Sequence, residues 1–179
     1  MTTIFRSEEK MDTLEAIHTR RSIREYTDQP VSEELVQEII GAAMMAPSAG
    51  NVRPWQFIVL DDPEVVSQIP RIHPHGAMAV NAPVSIMVCG DLSLEKYPGN
   101  WLADCSAATQ NLLLAAHAKG LGGVWTGLYP EQERIEGFRE LLGLPENVIP
   151  LVLVPIGYPA YEGGRQDRFE PNKIHRNHW

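Results

Sequence analysis

Apolar positions recur along this chain with more than one period, and the changes of period mark out its elements. Leu14 and Ile17 lie three apart behind Asp12 and Thr13, which predicts a short helix over 12–20. After Pro30 a clearer stripe runs through Leu35, Val36, Ile39, Ile40 and Ala43. Ser32 is its expected cap, Glu33 and Glu34 sit at its positive end, Val31 can staple against Val36, and Pro47 stops it. The apolar runs 55–60 and 84–89 read as buried strands. The strongest helix spans 100–119, with Asn100 as cap, Gly120 as stop and a small face of Ala103, Ala107, Ala108, Ala115 and Ala116. That face either admits another backbone closely or reflects helix propensity alone. A strand over 123–128, a helix over 130–142 and a strand over 148–156 follow. Helices and strands mix without strict βαβ alternation, which predicts an α+β layered domain.

Composition narrows the function classes. With 179 residues, 44% hydrophobic and 21% charged, the chain is long enough for one domain with a sizeable core. A net charge of −8 argues against DNA, RNA or an anionic membrane as partner. The charge is unevenly placed. Between Glu25 and Gly164 there are 6 basic and 17 acidic residues, whereas Arg20, Arg21 and Arg24 cluster near one end and Arg165, Arg168, Lys173 and Arg176 near the other. Cys89 and Cys105 lie in apolar or alanine-rich surroundings and read as packing residues. The start, MTTIFRSEEKMD, has no apolar core of a signal peptide, and the longest apolar stretch, 148–156, is half a membrane span and carries prolines. A soluble, cytoplasmic protein is expected.

Four segments carry candidate chemistry. In Arg20-Arg21-Ser22-Ile23-Arg24, two guanidinium forks and a hydroxyl share one side of either a helix or a strand, the donor set of a phosphate site, although cations at a helix C-terminus read the same way. The loop Pro47-Ser48-Ala49-Gly50-Asn51-Val52-Arg53-Pro54 offers backbone N–H groups and an amide to a flat heterocycle, or is a plain connection. It is no nucleophile elbow, since the required glycine before Ser48 is missing. The run Gly120–Gly127 follows a helix, not a strand, so it fails the context of a dinucleotide loop, and its glycines instead permit a close backbone approach. The tail 157–179 carries Lys173, His175, Arg176 and His178 with aromatic residues, and is expected to be an ordered arm rather than disorder. The pairs His73/His75 and His175/His178 have metal-like spacing without further ligands, so no metal site is expected.

In this order the segments RRSIREY (Arg20–Tyr26), PSAGNVRPW (Pro47–Trp55), GLGGVWTG (Gly120–Gly127) and K-x-H (Lys173–His175) resemble the nitroreductase family of FMN-dependent oxidoreductases. The resemblance runs from about Met11 to the C-terminus. It implies a single domain over 1–179, with an N-terminal extension over 1–11, a central mixed or antiparallel sheet flanked by helices, and an arm over 157–179 that reaches across the partner of a homodimer. It implies FMN at the subunit interface. Arg20, Arg21, Ser22 and Arg24 would surround the phosphate and ribityl chain with Lys173 and His175. Pro47, Ser48, Ala49 and Asn51 would meet the ring from the other subunit, and Thr126 and Gly127 would bring a backbone N–H to flavin N5. His175 stands where many members carry a second arginine, which leaves Arg176 as an alternative, and His75 is a candidate for the pyrimidine edge. The short segment 91–100 offers little of the lid found in halotyrosine-deiodinating relatives. The implied activity is ping-pong transfer of hydride from NADH or NADPH to a nitroaromatic, quinone or similar small acceptor, with no catalytic side chain named. A flavin-binding sensor or carrier without turnover is the alternative.

Overall fold

The computed structural model describes residues 11–161 and 163–179; the reading of residues 1–10 as an extension without a leader lies outside them. Helix α1 (Thr13–Thr19) is capped by the Asp12 carboxylate, which accepts the Leu14 and Glu15 N–H groups. Helix α2 (Glu33–Ala43) is capped by Ser32, whose hydroxyl accepts the Leu35 N–H, and it ends at Ala43, short of Pro47. Strand β1 (Trp55–Leu60) leads through two single-turn helices, α3 (Pro63–Val66) and α4 (Ile69–Ile72), to β2 (Val84–Asp91). Helix α5 (Trp101–Ala118) follows, then β3 (Gly122–Gly123), β4 (Thr126–Gly127), α6 (Gln132–Leu142) and β5 (Val148–Gly157). Asn100 makes no side-chain cap on α5; the Trp101 N–H donates instead to the Glu95 carboxylate at 3.1 Å.

The sheet order is β1-β2-β5-β3, with β4 also on β5, and every named strand pair is antiparallel. Both faces of the central strands are buried, which is why β2 and β5 read as continuous apolar runs. Alternate residues serve opposite faces. Ile86, Val88, Val152 and Val154 face α2 and α5, while Met87, Cys89 and Leu153 face a second cluster with Ile69, Leu128 and Phe138. Strand β1 is less buried than its apolar composition predicts, because it is the edge: Trp55 and Leu60 are buried, Val59 is exposed. Cys89 and Cys105 are buried free thiols, and burial pushes both up to about 12, as expected of packing residues.

The strand expected over 123–128 is broken in two, and the cause lies on its partner. Register is the same on both sides of the gap, Gly123 opposite Ile156 and Thr126 opposite Leu153. The Leu128 N–H donates to the Leu151 carbonyl at 2.9 Å, so the hydrogen-bonding positions recur two residues on, at Thr126 and then at Val124. Continuing that register sets Val124 opposite Pro155, which has no N–H to give. The ladder lapses there, and Trp125 is left exposed beside the break.

Candidate functional site

The segment that follows α1 is extended and lies along the edge of β3. Ser22 pairs in parallel with Gly123, the Ile23 N–H donates to the Gly123 carbonyl at 3.1 Å, and Tyr26 pairs with Pro159. The Tyr26 hydroxyl is within hydrogen-bonding distance of the Ile23 and Pro155 carbonyls at 2.8 and 3.1 Å, and burial holds its phenol well above the ordinary range. Ile23 is buried, and a Cβ built on Gly122 would lie 2.6 Å from the Ile23 Cβ. Only glycine lets this segment come so close.

This docking distributes the arginines. Arg21 donates from Nη1 to the Arg20 carbonyl at 2.6 Å and from Nη2 to the His18 carbonyl at 3.0 Å, so it closes the C-terminus of α1. Arg20 is half-buried and lines an open hollow of about 830 Å³ with His18, Arg21, Arg165, Arg168 and Phe169. Desolvation, then the like charges of Arg21 and Arg168, lower its pKa. Among the described residues Arg20 has no carboxylate partner; Arg165 reaches Glu15 at 3.5 Å, and Arg168 donates to the Gln166 side chain. The two cationic ends of the chain therefore meet, but through Arg165 and Arg168, which belong to the predicted cationic cluster but not to the predicted site residues. Lys173 is exposed and paired with Glu170 at 2.7 Å, and exposed His175 stacks on Trp179 with ring centroids 4.4 Å apart. Neither lines the hollow.

Arg24 belongs to a different hollow. It lines a cleft of about 550 Å³ with Thr126, Gly127, Trp125, Tyr129 and Arg134. Thr126 is buried, donates its hydroxyl to the Leu153 carbonyl at 2.6 Å and is paired with Leu153 in the ladder, so the backbone left for other work is that of Gly127. Arg134, from the first turn of α6, donates to the Gly127 carbonyl at 3.0 Å. A Cβ built on Gly127 meets only the Trp125 Nε1, at 3.8 Å, so this strand presents bare backbone to open space. His73 and His75 line the same cleft, their rings edge to face at 6.3 Å. His73 is 1% exposed, both its ring nitrogens are without a partner among the described residues, and burial, then Arg134 and His75, push it down to about 4.

The loop 47–54 stands apart from both hollows. Gly50, Asn51 and Arg53 are left-handed, with φ of 62°, 57° and 51°. Two of these are not glycine, and such residues persist only where surroundings over-determine them. Here the Arg53 N–H donates to the Ser48 Oγ at 2.9 Å, the Asn51 N–H to the Ser48 carbonyl at 2.9 Å, and the Ala49 N–H to the Asp104 Oδ1 at 3.0 Å. Asp104 is buried in the first turn of α5, and its Oδ2 has no partner among the described residues. Sequence gave no signal for it beyond an acid at a positive helix end. Pro47 and Asn51 are exposed, and neither they nor Ser48 and Ala49 line the cleft of Arg24.

Comparison with known proteins decides the family. The model described as the nitroreductase family matches residues 17–82 and 73–158. The chain belongs to the nitroreductase family. A relative from Methanothermobacter thermautotrophicus, with the provisional name NADH dehydrogenase/NAD(P)H nitroreductase, is 56% identical over 170 residues, 95% of this chain and 89% of its own. A nitroreductase-like crystal structure from Parabacteroides distasonis superposes with a TM-score of 0.89 at 41% identity, covering 93% of this chain and 98% of that one. A provisional nitroreductase from Desulfovibrio desulfuricans, solved in complex with FMN, superposes with a TM-score of 0.81 at 33% identity, covering 94% and 98%. The nitroreductase fold thus brings Arg24, Thr126 and Gly127 into one cleft and Arg20 and Arg21 into a second hollow. Among the described residues no helix is long and apolar enough to cross a membrane.

Proposed function

We propose that this chain is an FMN-dependent NAD(P)H oxidoreductase acting as a homodimer on small nitroaromatic, quinone or similar acceptors. The observation that carries the reading is Arg20, a half-desolvated guanidinium held beside Arg21 and Arg168 in a chain of net charge −8. Asp167 also lines this hollow, but among the described residues no carboxylate pairs with Arg20, and a guanidinium left so beside two others suits an oxyanion. Residues present fit FMN: Arg20 and Ser22, joined by Arg165 and Arg168 and by Lys173 and His175 if the tail closes, would hold the phosphate. Thr126 and Gly127 would lie along the ring, which the bare Gly127 backbone admits. FMN, when bound, supplies two-electron hydride chemistry. The protein binds, orients and shields; a quinone turnover consumes one NAD(P)H and one proton from solvent and yields one hydroquinone and NAD(P)⁺. Donor and acceptor use one open cleft in turn, so turnover is ping-pong.

Two observations support the homodimer. Pro47, Ser48, Ala49 and Asn51 line neither of the chain's own hollows, so their stiff loop would serve a partner's ring. Leu14, Ile17, Met45, Phe169 and Trp179 are 49–101% exposed, an apolar surface that a second copy of this single domain and its arm would cover. A nicotinamide donor fits a cytoplasmic protein. Anaerobic titration of the purified protein with NADH and NADPH, followed by absorbance, tests the reading. We expect a yellow protein bleached by at least one donor. A colourless protein that takes up no added FMN overturns it; a yellow one that neither donor bleaches is a flavin binder without turnover. Sedimentation should return twice the 20.0 kDa of one chain.

A further inference from the structure

The cleft that holds Thr126 and Gly127 has a sign opposite to that of the molecule. The chain carries −8, yet Arg24 and Arg134 line this cleft, with exposed Glu131 at its rim as the one acid among the lining residues. Low-dielectric walls focus such a local field, so an anion repelled by most of the surface is drawn here. Arg134 is fixed by its bond to the Gly127 carbonyl, which occupies one of five N–H donors; no other acceptor for them exists among the described residues. The arginine rises from the first turn of α6, an 11-residue helix with no side-chain cap at its N-terminus, so its positive end adds to the same field. Beside Arg134, the almost fully buried His73 ring has both nitrogens unpartnered among the described residues, and a neutral imidazole always keeps one N–H to give. The walls are aromatic: Trp125 and Tyr129 are 38% and 40% exposed, and Tyr129 is held nearly at right angles to the Trp101 ring at 5.2 Å, so both leave ring surface for a flat ligand.

We propose that Arg134, with His73 beside it, forms an oxyanion subsite of this cleft, and that the preferred electron acceptors are planar aromatic compounds carrying a carboxylate. The inference rests on the oxidoreductase reading and deepens it. A carboxylate takes the guanidinium fork of Arg134 while its ring lies between the aromatic walls. Arg134 is a specificity residue, because its remaining donors meet the acceptor and not the reacting group.

The test compares 4-nitrobenzoate with nitrobenzene as acceptors for the FMN-loaded enzyme, and benzoate with benzamide as ligands detected by the change in flavin absorbance. The charged member of each pair should be favoured by about tenfold or more, the scale of a charge-assisted bond. Arg134→Gln should collapse both preferences and Arg134→Lys should restore part of them. Equal values for the two acceptors and the two ligands in the unaltered enzyme overturn the proposal without any variant. So does a preference that Arg134→Gln leaves intact. A rise in KM for NADH or NADPH in Arg134→Gln, with the acceptor ratio unchanged, assigns the oxyanion to the dinucleotide diphosphate and likewise overturns it. Failure of the oxidoreductase reading looks different: no donor oxidation with either acceptor.

Discussion

The Ala49 N–H donates to the Asp104 carboxylate at 3.0 Å, tying a loop of left-handed residues to the first turn of the longest helix. The pair is 55 residues apart in sequence, and the acceptor is buried. Asp104→Ala should therefore destabilise the fold by about 1.5–3 kcal/mol, whereas Asp104→Asn, which keeps an acceptor oxygen, should cost about 1 kcal/mol or less. Urea denaturation checks the order. If the loop serves a partner's FMN, the alanine variant also loosens flavin binding.

Arg20 and Arg24 line different hollows, so their substitutions should separate. Arg20→Ala is expected to weaken FMN by about tenfold or more while sparing riboflavin, which lacks the phosphate. Arg24→Ala should affect both ligands alike. Fluorescence titration of the apoprotein with each flavin distinguishes the two; equal losses for Arg20→Ala would remove it from the phosphate site.

His73 makes stability depend on pH in a defined window. Unfolded it titrates at the ordinary 6.5, and folded it is held at about 4. Above pH 6.5 neither state carries the proton and the residue adds no slope. As pH falls from 6.5 towards 4, the unfolded chain gains a proton that the folded chain refuses, so stability declines, by about 3 kcal/mol in full. His117, also lowered by burial and by Arg20 and Arg21, acts in the same direction. His73→Leu should flatten the decline measured by denaturation between pH 7 and pH 4.5.

Gly122→Ala sets a Cβ 2.6 Å from that of Ile23. Overpacking of this kind costs about 1–3 kcal/mol and should push the arginine segment off the strand edge. Gly164→Ala, where a Cβ meets nothing within 4 Å, is the control and should be neutral. Thermal unfolding of both variants checks the contrast.

Much of the framework was legible because it rests on local chemistry. Asp12 and Ser32 cap the helices the sequence predicts, and β2 and β5 fall where their apolar runs lie. The single-turn helices over 63–72 were invisible, since four residues cannot show a period of 3.6. The strand over 123–128 looked whole because its interruption comes from Pro155, which stands opposite Val124 in register but lies beyond β4 and α6 in sequence. The candidate site was legible in its motifs and less so in its grouping. Neither the division of Arg20 from Arg24 nor the choice of Arg168 over Lys173 as neighbour of Arg20 follows from spacing, because both depend on how the extended segment docks against Gly122. Asp104 and Arg134 belong to no motif and His73 only to a histidine pair read as no metal site; their polar contacts, made or missing, show only in the fold.

The lapse of the ladder at Pro155 has a lasting consequence. Trp125 escapes the sheet there and stands at the cleft as a side chain the core does not need. Its neighbours Thr126 and Gly127 remain sewn to β5 through backbone, whatever residue stands at 125. Descendants of this chain can thus exchange the wall of the cleft while its floor stays still, and a repertoire of new acceptors is open to them by single replacements that leave folding untouched.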